Sequence, residues 1–305
     1  MTSAKKKKNQ ENSEPVFTNL GKVLFGTGFT KGEVIDYYRK IAPILLPHVN
    51  DRAITLKRYP NGSGQPFFFE KHCPSYRPTW VKTASIPSTS REDGHVNHCV
   101  VSDERTLLWV ANLAALELHV LLSKVADPAR PTAMVFDLDP GAPATILDCI
   151  RLALEMKDVL QHLGLESFAK TSGGKGLHFY VPLNTPTTFE QTKSFSRAIA
   201  ELMEKQNPAK VTSTMKKSLR AGKVFIDWSQ NDSHKTTVAV YSLRAMNGPS
   251  VSTPVTWPEL QKALAAGEAS KIQFDAPAVL QRVAKKGDLF APLLTIRQKL
   301  PIFPF

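Results

Sequence analysis

Apolar residues recur along the chain at two spacings, one typical of helices and one typical of strands. The first helix is predicted to begin after Thr30, whose hydroxyl can accept from a backbone amide of the first turn, and to end near Pro43. Its apolar positions are Val34, Ile35, Tyr38 and Ile41. They recur at helical spacing, so one face of this helix should be buried.

The next segments alternate between extended runs and polar connections. Residues 53–59 are followed by a Pro-Asn-Gly turn at 60–62 and by the aromatic run 66–69, which together predict a pair of strands. Residues 85–98 are polar and are predicted to form a loop. A helical spacing then extends over residues 106–125 and predicts a second helix.

Strands and helices alternate through the second half of the chain. Strands are predicted at residues 133–138, 176–181, 224–228 and 236–241. Helices are predicted at residues 144–163 and 189–205. This alternation indicates a mixed α/β core within one catalytic domain over residues 16–305. A polar, lysine-rich tail at residues 1–15 precedes it and is expected to be disordered.

Charge adds a class of partner to this picture. Lysine and arginine together number 39, against 27 aspartates and glutamates, and the formal net charge is +12. Most of the excess lies beyond the tail, so the folded body carries a positive field that favours nucleic acids, nucleotides or an acidic membrane surface. No apolar run is long enough to cross a bilayer, and the amino end has no apolar signal region. These features favour a cytoplasmic, nucleoid-associated protein.

The three cysteines, Cys73, Cys99 and Cys149, are not in paired spacings. Their odd number and their spacing predict free thiols in a reducing compartment. His72 and His98 lie next to two of them, which raises zinc as an alternative, but the paired ligand spacing of zinc sites is absent. We expect these residues to be ordinary loop and core residues.

The most informative segment is an apolar run that ends in two aspartates. Asp137 and Asp139 are separated by one residue in a predicted strand that stops at a Pro-Gly pair, so both side chains lie on one face. Asp227 lies near the end of another apolar run. Neighbouring carboxylates repel each other unless a cation lies between them, and Mg²⁺ and Mn²⁺ prefer oxygen ligands. Three such aspartates predict a site for two divalent metal ions.

An Asp-x-Asp pair after an apolar strand is also typical of haloacid-dehalogenase-like phosphatases, in which one aspartate is a covalent nucleophile. Those enzymes usually place Thr or Val two residues after the second aspartate, where this chain has Gly141. Their motif also tends to lie near the start of the domain, whereas Asp137 lies at mid-chain. A phosphatase is therefore the alternative function.

Residues 170–181 form a second candidate site, in which glycines closely follow Ser172. Glycines let the backbone approach a ligand, consecutive amides can bind an anion, and Ser172 and Lys175 add donors. The spacing is not that of a Walker loop, and the segment leads into a strand. In that strand His178 and Tyr180 share one face, so His178 is placed like a site residue. A structural histidine is the alternative.

Cations are dense between residues 215 and 223, just before Asp227, and they include Arg220. A cationic loop next to carboxylates is suited to holding a triphosphate whose metal ions the carboxylates bind. A solvated surface loop is the alternative. Gln230 and Arg244 supply further polar groups at the ends of predicted strands.

Eight segments occur in the order found in one protein family. They cover residues 19–24, 57–62, 67–71, 116–119, 136–141, 172–178, 225–231 and 241–244. In sequence and order they resemble the polymerase domain of bacterial ligase D, a branch of the archaeo-eukaryotic primase superfamily that acts in non-homologous end joining. The resemblance extends from about residue 19 to residue 289.

The resemblance implies a primase-like fold, in which an RRM-like antiparallel sheet packs against a second α/β unit. It implies a template-directed polymerase that fills gaps and extends DNA ends during double-strand break repair. It also implies a preference for ribonucleoside triphosphates, two Mn²⁺ or Mg²⁺ ions, and cooperation with Ku and a DNA ligase domain or subunit. The sequence itself carries no ligase segment, so a stand-alone polymerase and a piece of a longer protein both stay open.

The resemblance also implies roles for individual residues. The catalytic metal ligands would be Asp137, Asp139 and Asp227. The nucleotide-binding residues would be Lys57, His119, Ser172, Lys175, His178, Arg220, Gln230 and Arg244. The DNA-binding residues would be Asn19, Lys22, Lys31, Phe68 and Phe69. Of these, the phenylalanines would stack on template bases, and the lysines would hold a downstream 5′-phosphate.

The resemblance leaves two points open. Three consecutive phenylalanines at residues 67–69 make the stacking pair ambiguous by one position, and strand alternation predicts that at least one of the two faces is buried. A primase that starts chains without a primer and a non-catalytic single-strand-binding module are alternatives within the same fold. The set of three aspartates argues against the second.

Overall fold

The computed structural model of the chain describes residues 15–88 and 94–301, so nearly all of the predicted tail at residues 1–15 lies outside the described part. The helices are α1 (Lys31–Val49), α2 (Glu104–Asn112), α3 (Ile146–His162), α4 (Phe189–Gln206), α5 (Trp257–Ala266), α6 (Ala276–Lys286) and α7 (Pro292–Thr295). The strands are β1 (Ala53–Arg58), β2 (Phe68–Glu70), β3 (Thr83–Pro87), β4 (His95–Val100), β5 (Ala115–Leu121), β6 (Ser123–Lys124), β7 (Asp127–Pro131), β8 (Ala133–Pro140), β9 (Phe168–Thr171), β10 (Leu177–Pro182), β11 (Val211–Thr212), β12 (Val224–Asp227), β13 (Thr236–Val238), β14 (Leu243–Ala245), β15 (Pro249–Val251) and β16 (Pro254–Val255).

Two large sheets organise the described part of the chain. In the first sheet the strand order is β13-β5-β1-β4-β3, with β2 also paired to β1, and the pairings are antiparallel. In the second sheet the order is β11-β12-β8-β10-β9-β16. Its pairings are antiparallel apart from the parallel β11–β12 pair at one edge. The predicted mixed α/β fold, with an antiparallel sheet beside a second α/β unit, is confirmed.

The two faces of β8 belong to two different apolar cores. Met134, Phe136 and Leu138 lie in one core with buried side chains of α3, α4 and α5. Val135, on the opposite face, lies in the other core, which includes buried side chains of α1, α2 and the first sheet. The face of β8 that carries Val135 is therefore directed toward the first sheet. No helix in the described residues is long and apolar enough to cross a membrane.

Helix α1 begins where the sequence predicts and ends later. Thr30 Oγ1 accepts from Glu33 N at 3.3 Å, and Glu33 Oε2 accepts from Thr30 N at 2.7 Å, which is the reciprocal arrangement of a capping box. The predicted end near Pro43 is wrong, because the helix continues through this proline to Val49. An interior proline costs a helix about 3 kcal/mol, and burial of Leu45 and Val49 in the core offsets that cost.

The predicted loop at residues 85–98 is wrong. Strands β3 and β4 pair there, with Ile86 opposite Val96, while residues 89–93 lie outside the described part. In β3, buried Ala84 and Ile86 alternate with exposed neighbours. Such an edge hairpin is polar on one face, so its sequence looks like that of a loop.

The predicted helix over residues 106–125 is correct only in its first half. Helix α2 ends at Asn112, and β5 begins at Ala115. Between them Ala114 has a φ of +57°, a left-handed conformation that ends the helix and reverses the chain. The apolar spacing of the two elements runs together in the sequence, so the pattern predicted one long helix.

The prediction of free thiols is wrong for two of the three cysteines. Cys73 and Cys99 form a disulfide. Cys149 is a buried free cysteine. The pairing arises because the chain after β2 folds back onto β4, where Cys73 N donates to Asn97 O at 2.6 Å. The two cysteines are 26 residues apart, so their sequence spacing gives no sign of this contact.

Candidate active site

Three aspartates lie together on two neighbouring strands of the second sheet, β8 and β12. Asp137 and Asp139 alternate with buried core residues of β8 and lie on the Val135 face. β12 is antiparallel to β8 and places Asp227 directly opposite Asp137. Asn231 fixes this corner, since its side chain donates to Val135 O at 2.7 Å and accepts from Val135 N at 2.9 Å. The structure thus brings the three predicted aspartates together.

The carboxylates at this corner repel each other. Burial and the charges of Asp139 and Asp227 raise the pKa of Asp137 to about 8. The cations nearest to it, Lys170 and Arg244, act in the opposite direction and do not cancel this effect. The fold therefore gathers more negative charge at this point than its own side chains neutralise.

Carboxylate oxygens are the ligands that Mg²⁺ and Mn²⁺ prefer, so the donor set fits a divalent cation. Both oxygens of Asp227 already accept hydrogen bonds, from Ser229 N at 3.0 Å and from Gln230 Nε2 at 3.0 Å. Within residues 15–88 and 94–301, no three His, Cys, Asp or Glu side chains are arranged so that they could hold a metal ion as they stand. A metal ion at Asp227 would take the place of these donors.

The glycine loop after β9 is held by its own serine. Ser172 Oγ accepts from Gly174 N and from Gly176 N, each at 3.1 Å. Gly173 has a φ of +73°, and a Cβ there would lie 2.8 Å from Val251 C, so only glycine fits this turn. The amides of Gly174 and Gly176, which the sequence suggested as anion donors, therefore donate to Ser172 Oγ within the loop. Because Ser172 Oγ accepts these bonds, its own hydrogen is able to donate to a ligand.

His178 lies opposite Asp137 in the sheet and faces the same cleft. The two residues are a register pair of β10 and β8, and His178 Nε2 is 3.4 Å from Asp137 Oδ1. Tyr180 shares this face, while Leu177 and Phe179 are buried in the core on the other side, as the sequence predicts. On the far side of the ring, His178 Nδ1 is 3.1 Å from Lys170 Nζ.

Glu117, on β5 of the first sheet, is a buried acid with partners from several elements. Its Oε1 accepts from Lys57 Nζ at 3.4 Å, from Tyr59 Oη at 3.1 Å and from Ala245 N at 3.2 Å. Its Oε2 lies 2.9 Å from His119 Nε2 and 3.3 Å from Arg244 Nε. One carboxylate thus connects β1, β5 and β14.

The partners of Glu117 determine its charge state. Burial acts to raise its pKa, but the hydrogen bond from His119 and the charges of Arg244 and Lys57 outweigh burial and lower the pKa to about 2. Burial also lowers the pKa of His119, against the effect of Glu117. Glu117 is therefore an anion at neutral pH and holds cationic and neutral donors at the edge of the cleft.

These elements surround a cleft of about 430 Å³ between the two sheets. Eight of the predicted site residues line it: His119, Asp137, Asp139, Ser172, Lys175, His178, Gln230 and Arg244. Carboxylates lie at one end, and Arg244 bridges to the glycine loop through a hydrogen bond from Nη1 to Ser172 O at 3.1 Å. The cleft can accommodate a small polyanion together with cations that its carboxylates bind.

Three comparisons with known proteins agree with this geometry. Residues 30–290 match the family model described as LigD, primase-polymerase domain. The chain belongs to this family. It is 43% identical over 279 residues to the multifunctional non-homologous end joining protein LigD of Mycolicibacterium smegmatis, covering 90% of this chain and 35% of that protein. It is 34% identical to the bifunctional LigD of Bacillus subtilis, covering 89% of this chain and 43% of that protein.

A solved structure gives the same result for the fold. The polymerase domain of Mycobacterium tuberculosis ligase D in complex with DNA has a TM-score of 0.84 and 40% identity, covering 92% of this chain and 99% of that one. The LigD primase-polymerase chain described here spans between a third and a half of the length of the two LigD proteins above. Family membership also disfavours the alternative of a haloacid-dehalogenase-like phosphatase.

Three of the predicted metal- and nucleotide-binding residues of this LigD primase-polymerase domain are not among the residues that line the cleft. Asp227 is behind Gln230, to which it is hydrogen-bonded. Lys57 Nζ lies 4.1 Å from the centre of the Phe67 ring and reaches the cleft only through Glu117. Arg220 packs its guanidinium 3.5 Å from the centre of the Phe225 ring.

The Arg220 loop is nevertheless fixed next to the aspartates. Arg220 Nη2 donates to Met215 O at 2.7 Å, which keeps the side chain within its own loop. A Cβ on Gly141 would lie 2.0 Å from Arg220 O. The Pro-Gly turn that follows Asp139 therefore allows this cationic loop to approach the carboxyl end of β8, beside the amino end of β12.

The three phenylalanines at residues 67–69 are all exposed, so the expectation that one face of this strand is buried is wrong. Their exposed fractions are 49% for Phe67, 43% for Phe68 and 54% for Phe69. β2 pairs with β1 but is not one of the strands in the linear order β13-β5-β1-β4-β3 of the first sheet. This position leaves its phenylalanine side chains exposed. Three exposed aromatic rings next to one another indicate a contact site.

Strand alternation divides these rings between two faces. Phe69 pairs with Lys57 in the register of β1 and β2, and its ring centre is 6.0 Å from that of His119, which lines the cleft. Phe67 is on the same face, 5.7 Å from Phe69. Phe68 is on the opposite face, 5.1 Å from the guanidinium of Arg58. The predicted pair, Phe68 and Phe69, therefore does not share a face.

The two predicted end-binding lysines lie near each other at the start of the domain. Lys31 N donates to Lys22 O at 2.8 Å, which joins the amino-terminal turn to the first turn of α1. Burial, followed by the charges of Lys22 and Arg58, lowers the pKa of Lys31. Asn19 adopts a φ of +53° in the turn that ends at Lys22. The two lysines form a cationic cluster, and they are not among the residues that line the cleft.

Two buried charged residues of the site were not predicted from the sequence. Glu117 was missed because β5 was interpreted as a helix, although Glu117 and His119 alternate with apolar residues in a way that is typical of a strand. Lys170 lies in a predicted loop region just before the glycines, and it is buried at the junction of β9 and β10. No sequence signal marks a lysine as buried.

We predict that Glu117→Gln lowers the free energy of unfolding by about 3 kcal/mol at neutral pH, because it removes one partner of a buried ionic group. The depressed pKa of Glu117 contributes stability above its unfolded value of 4.5, and this contribution is lost as the pH falls toward about 2. Urea unfolding between neutral pH and pH about 2 measures the free energy of unfolding of both proteins. The difference between wild type and variant should disappear on acidification.

Glu201→Gln is the matched control, since Glu201 forms an exposed ion pair with Arg197 on α4. It should change stability by less than about 0.5 kcal/mol. If the free energies of unfolding of wild type and Glu117→Gln differed by the same amount from neutral to acid pH, the result would contradict an ionised, stabilising Glu117.

Proposed function

We propose that this domain is a template-directed nucleotidyltransferase that fills gaps and extends DNA ends during repair by non-homologous end joining. The observation that carries the proposal is the grouping of Asp137, Asp139 and Asp227 on two neighbouring strands, with Asp137 and Asp139 lining a cleft that also holds donors suited to phosphate. The names of its relatives support the pathway, because they are non-homologous end joining proteins. The DNA in the complex of the related polymerase domain supports the substrate.

In the proposed reaction, Asp137, Asp139 and Asp227 would hold two divalent metal ions, Mg²⁺ or Mn²⁺. When bound, such ions lower the pKa of an attacking hydroxyl and neutralise a leaving pyrophosphate. The residues of the chain bind and orient the reactants. Asn231 keeps the two strands in register through Val135, so that the carboxylates stay at the end of the cleft where a 3′-hydroxyl would meet the nucleotide.

The incoming triphosphate would lie against the opposite wall. Lys175 and Arg244 supply charge, and Ser172 and His178 supply donors to phosphate oxygens. Lys175 Nζ already donates to Pro140 O at 3.3 Å, which holds this cation close to the carboxyl end of β8. Arg220, Gln230, His119 and Lys57 would complete the set, with Lys57 acting through Glu117.

The finer features of the proposal rest on family resemblance. We propose a preference for ribonucleoside triphosphates, a cytoplasmic, nucleoid-associated location, and cooperation with Ku and a DNA ligase domain or subunit. The chain spans less than half of the LigD proteins that it matches, so their whole activity is not transferred to it. A primer-extension assay on gapped DNA that compares both sugars and both metals tests the preferences directly.

We predict that Asp139→Asn reduces primer extension at least about a thousandfold, because loss of a metal ligand removes several kcal/mol of transition-state stabilisation. DNA affinity should stay near that of the wild type, because it depends on cationic and aromatic contacts. Gel-based extension and fluorescence anisotropy measure the two effects. Asp158→Asn, on an exposed turn of α3, is the control.

The same experiment separates the proposal from its main alternative. A non-catalytic single-strand-binding module would bind DNA and show no extension in the wild type under any metal. Extension by Asp139→Asn at the wild-type rate would overturn the assignment of the aspartates.

We predict that Phe69→Ala weakens binding of a single-stranded template overhang by about 1–3 kcal/mol, the usual contribution of base stacking on an aromatic ring. Phe68→Ala should weaken it much less, because Phe68 lies on the opposite face of β2 next to Arg58. Anisotropy titrations with a labelled overhang compare the two variants, which remove the same ring from adjacent positions. A larger loss for Phe68→Ala would place the template on the other face.

We predict that a 5′-phosphate on the downstream strand of a gapped duplex tightens binding through Lys22 and Lys31. Lys31 has a lowered pKa because it is partly buried near Lys22 and Arg58, so an anion there relieves repulsion among cations. A terminal phosphate carries a charge of about −2, more than a phosphodiester. The double variant Lys22→Ala/Lys31→Ala should lose the preference for phosphorylated over hydroxyl ends.

Lys40→Ala is the control for this variant, because Lys40 is exposed on the same helix and pairs with Asp36. It should keep the full preference, and extension of a simple primer on an overhanging template should change little in either variant. Equal binding of phosphorylated and hydroxyl-ended gaps by the wild-type domain would refute the prediction without any variant.

A further inference from the structure

Lys170 is a lysine with 1% exposure on β9, and the proposed reaction leaves it without a role. Removing an ammonium group from water costs several kcal/mol unless it is paired and hydrogen-bonded. Lys170 Nζ lies 2.6 Å from Ser252 Oγ and 3.1 Å from His178 Nδ1. Burial and the charge of Arg244 lower the pKa of Lys170, and the carboxylate of Asp137 acts in the opposite direction. Both hydrogen-bond partners of Nζ can accept a hydrogen from it.

The hydrogen-bond directions around Lys170 can be assigned from its partners. Ser252 Oγ donates its hydrogen to Thr171 O at 2.9 Å, so the serine oxygen accepts from Lys170. A lysine ammonium has three donors and no acceptor. When Lys170 Nζ is an ammonium, His178 Nδ1 at 3.1 Å therefore accepts from it as well and carries no proton.

This constraint determines the chemistry of the other ring nitrogen. A neutral imidazole carries one proton, and if Nδ1 has none then Nε2 has it. His178 Nε2 lies on the cleft side, 3.4 Å from Asp137 Oδ1. The proton on Nε2 makes His178 a hydrogen-bond donor to the cleft, where the carboxylate and the proposed triphosphate are the available acceptors.

We propose that Lys170 is a positioning residue that fixes His178 as the tautomer with its proton on Nε2, so that the ring always presents a donor to the cleft. A histidine in the other tautomer would present a lone pair to phosphate oxygens and repel them. Ser252 holds Lys170 from the opposite side and keeps Nζ aligned with Nδ1. The catalytic consequence rests on the proposed nucleotidyl transfer, whereas the tautomer itself does not.

The tautomer can be measured in the domain alone, without DNA, nucleotide or metal. In a sample with ¹⁵N-labelled histidine, two-bond correlations from the ring C–H protons show which nitrogen of each ring is protonated. The chain has eight histidines, and the signals that disappear in His178→Gln assign His178. We expect protonated Nε2 and unprotonated Nδ1 at neutral pH. A protonated Nδ1, as would occur if Lys170 were a neutral amine that accepts from the ring, overturns the proposal.

Lys170→Met tests the cause, because methionine keeps the length and removes the donor. We expect its His178 signals to move toward the Nδ1-protonated form or an average of both forms. We also expect kcat/KM for the nucleotide to fall about 10- to 100-fold, the usual effect of losing a hydrogen bond that orients a site histidine. DNA affinity should stay within about twofold, since no phosphate contact of DNA is changed.

Lys124→Met is the matched control, since Lys124 is also partly buried and donates to a backbone carbonyl, that of Asn50, outside the cleft. It should leave both the His178 signals and nucleotide use unchanged.

Unchanged His178 signals in folded Lys170→Met would overturn the positioning role of Lys170. A shifted tautomer with an unchanged kcat/KM would overturn the catalytic consequence of that role. If Lys170→Met does not fold, the wild-type spectrum still decides the tautomer. A wild-type domain without polymerase activity would refute the proposed function and leave the tautomer measurement valid.

Discussion

The antiparallel register of β8 with β10 and β12 is the constraint on which the rest of the site depends. It places Asp137 between His178 on one side and Asp227 on the other. A shift of one residue would turn the aspartates into the core and expose apolar residues. Phe136 and Leu138, fully buried on the opposite face, make such a shift very costly. Core packing on one face of the strand thus holds mutually repelling carboxylates together on the other.

The first sheet contributes His119 and residues of β13 to the same cleft, and His119 contacts the buried anion Glu117. Glu117 connects β5 to Lys57 of β1 and to Arg244 of β14. Since Phe69 is the register partner of Lys57, the exposed aromatic surface and Arg244 are both connected to Glu117. Under the proposed function, motion of the aromatic strand would disturb the partners of Glu117 and so couple the DNA contacts to the nucleotide contacts.

Sequence patterns were sufficient for those parts of the fold and the site that local physics dictates. The strand at residues 133–138 was predicted because a strand buried on both faces is continuously apolar, and its two aspartates share a face by geometry alone. The boundary at Ala114 was missed because its left-handed backbone has no residue-type signal. The disulfide of Cys73 and the burial of Lys170 depend on partners that only the folded chain brings near. Whatever depends on long-range contacts lay beyond the sequence pattern.

Opposite electrostatic imbalances exist within one cleft. Burial and like charges raise the pKa of Asp137, which means that the carboxylates lack a cation. Burial and the charge of Arg244 lower the pKa of Lys170, which is within hydrogen-bond distance of the cleft residue His178, so an anion near these cations would favour their charged forms. Under the proposed function, a divalent metal alone would correct the first imbalance and a free triphosphate alone the second. The metal-bound triphosphate corrects both, so each component should strengthen the binding of the other by the same factor. The site is in this sense complementary to the proposed complex of metal and nucleotide.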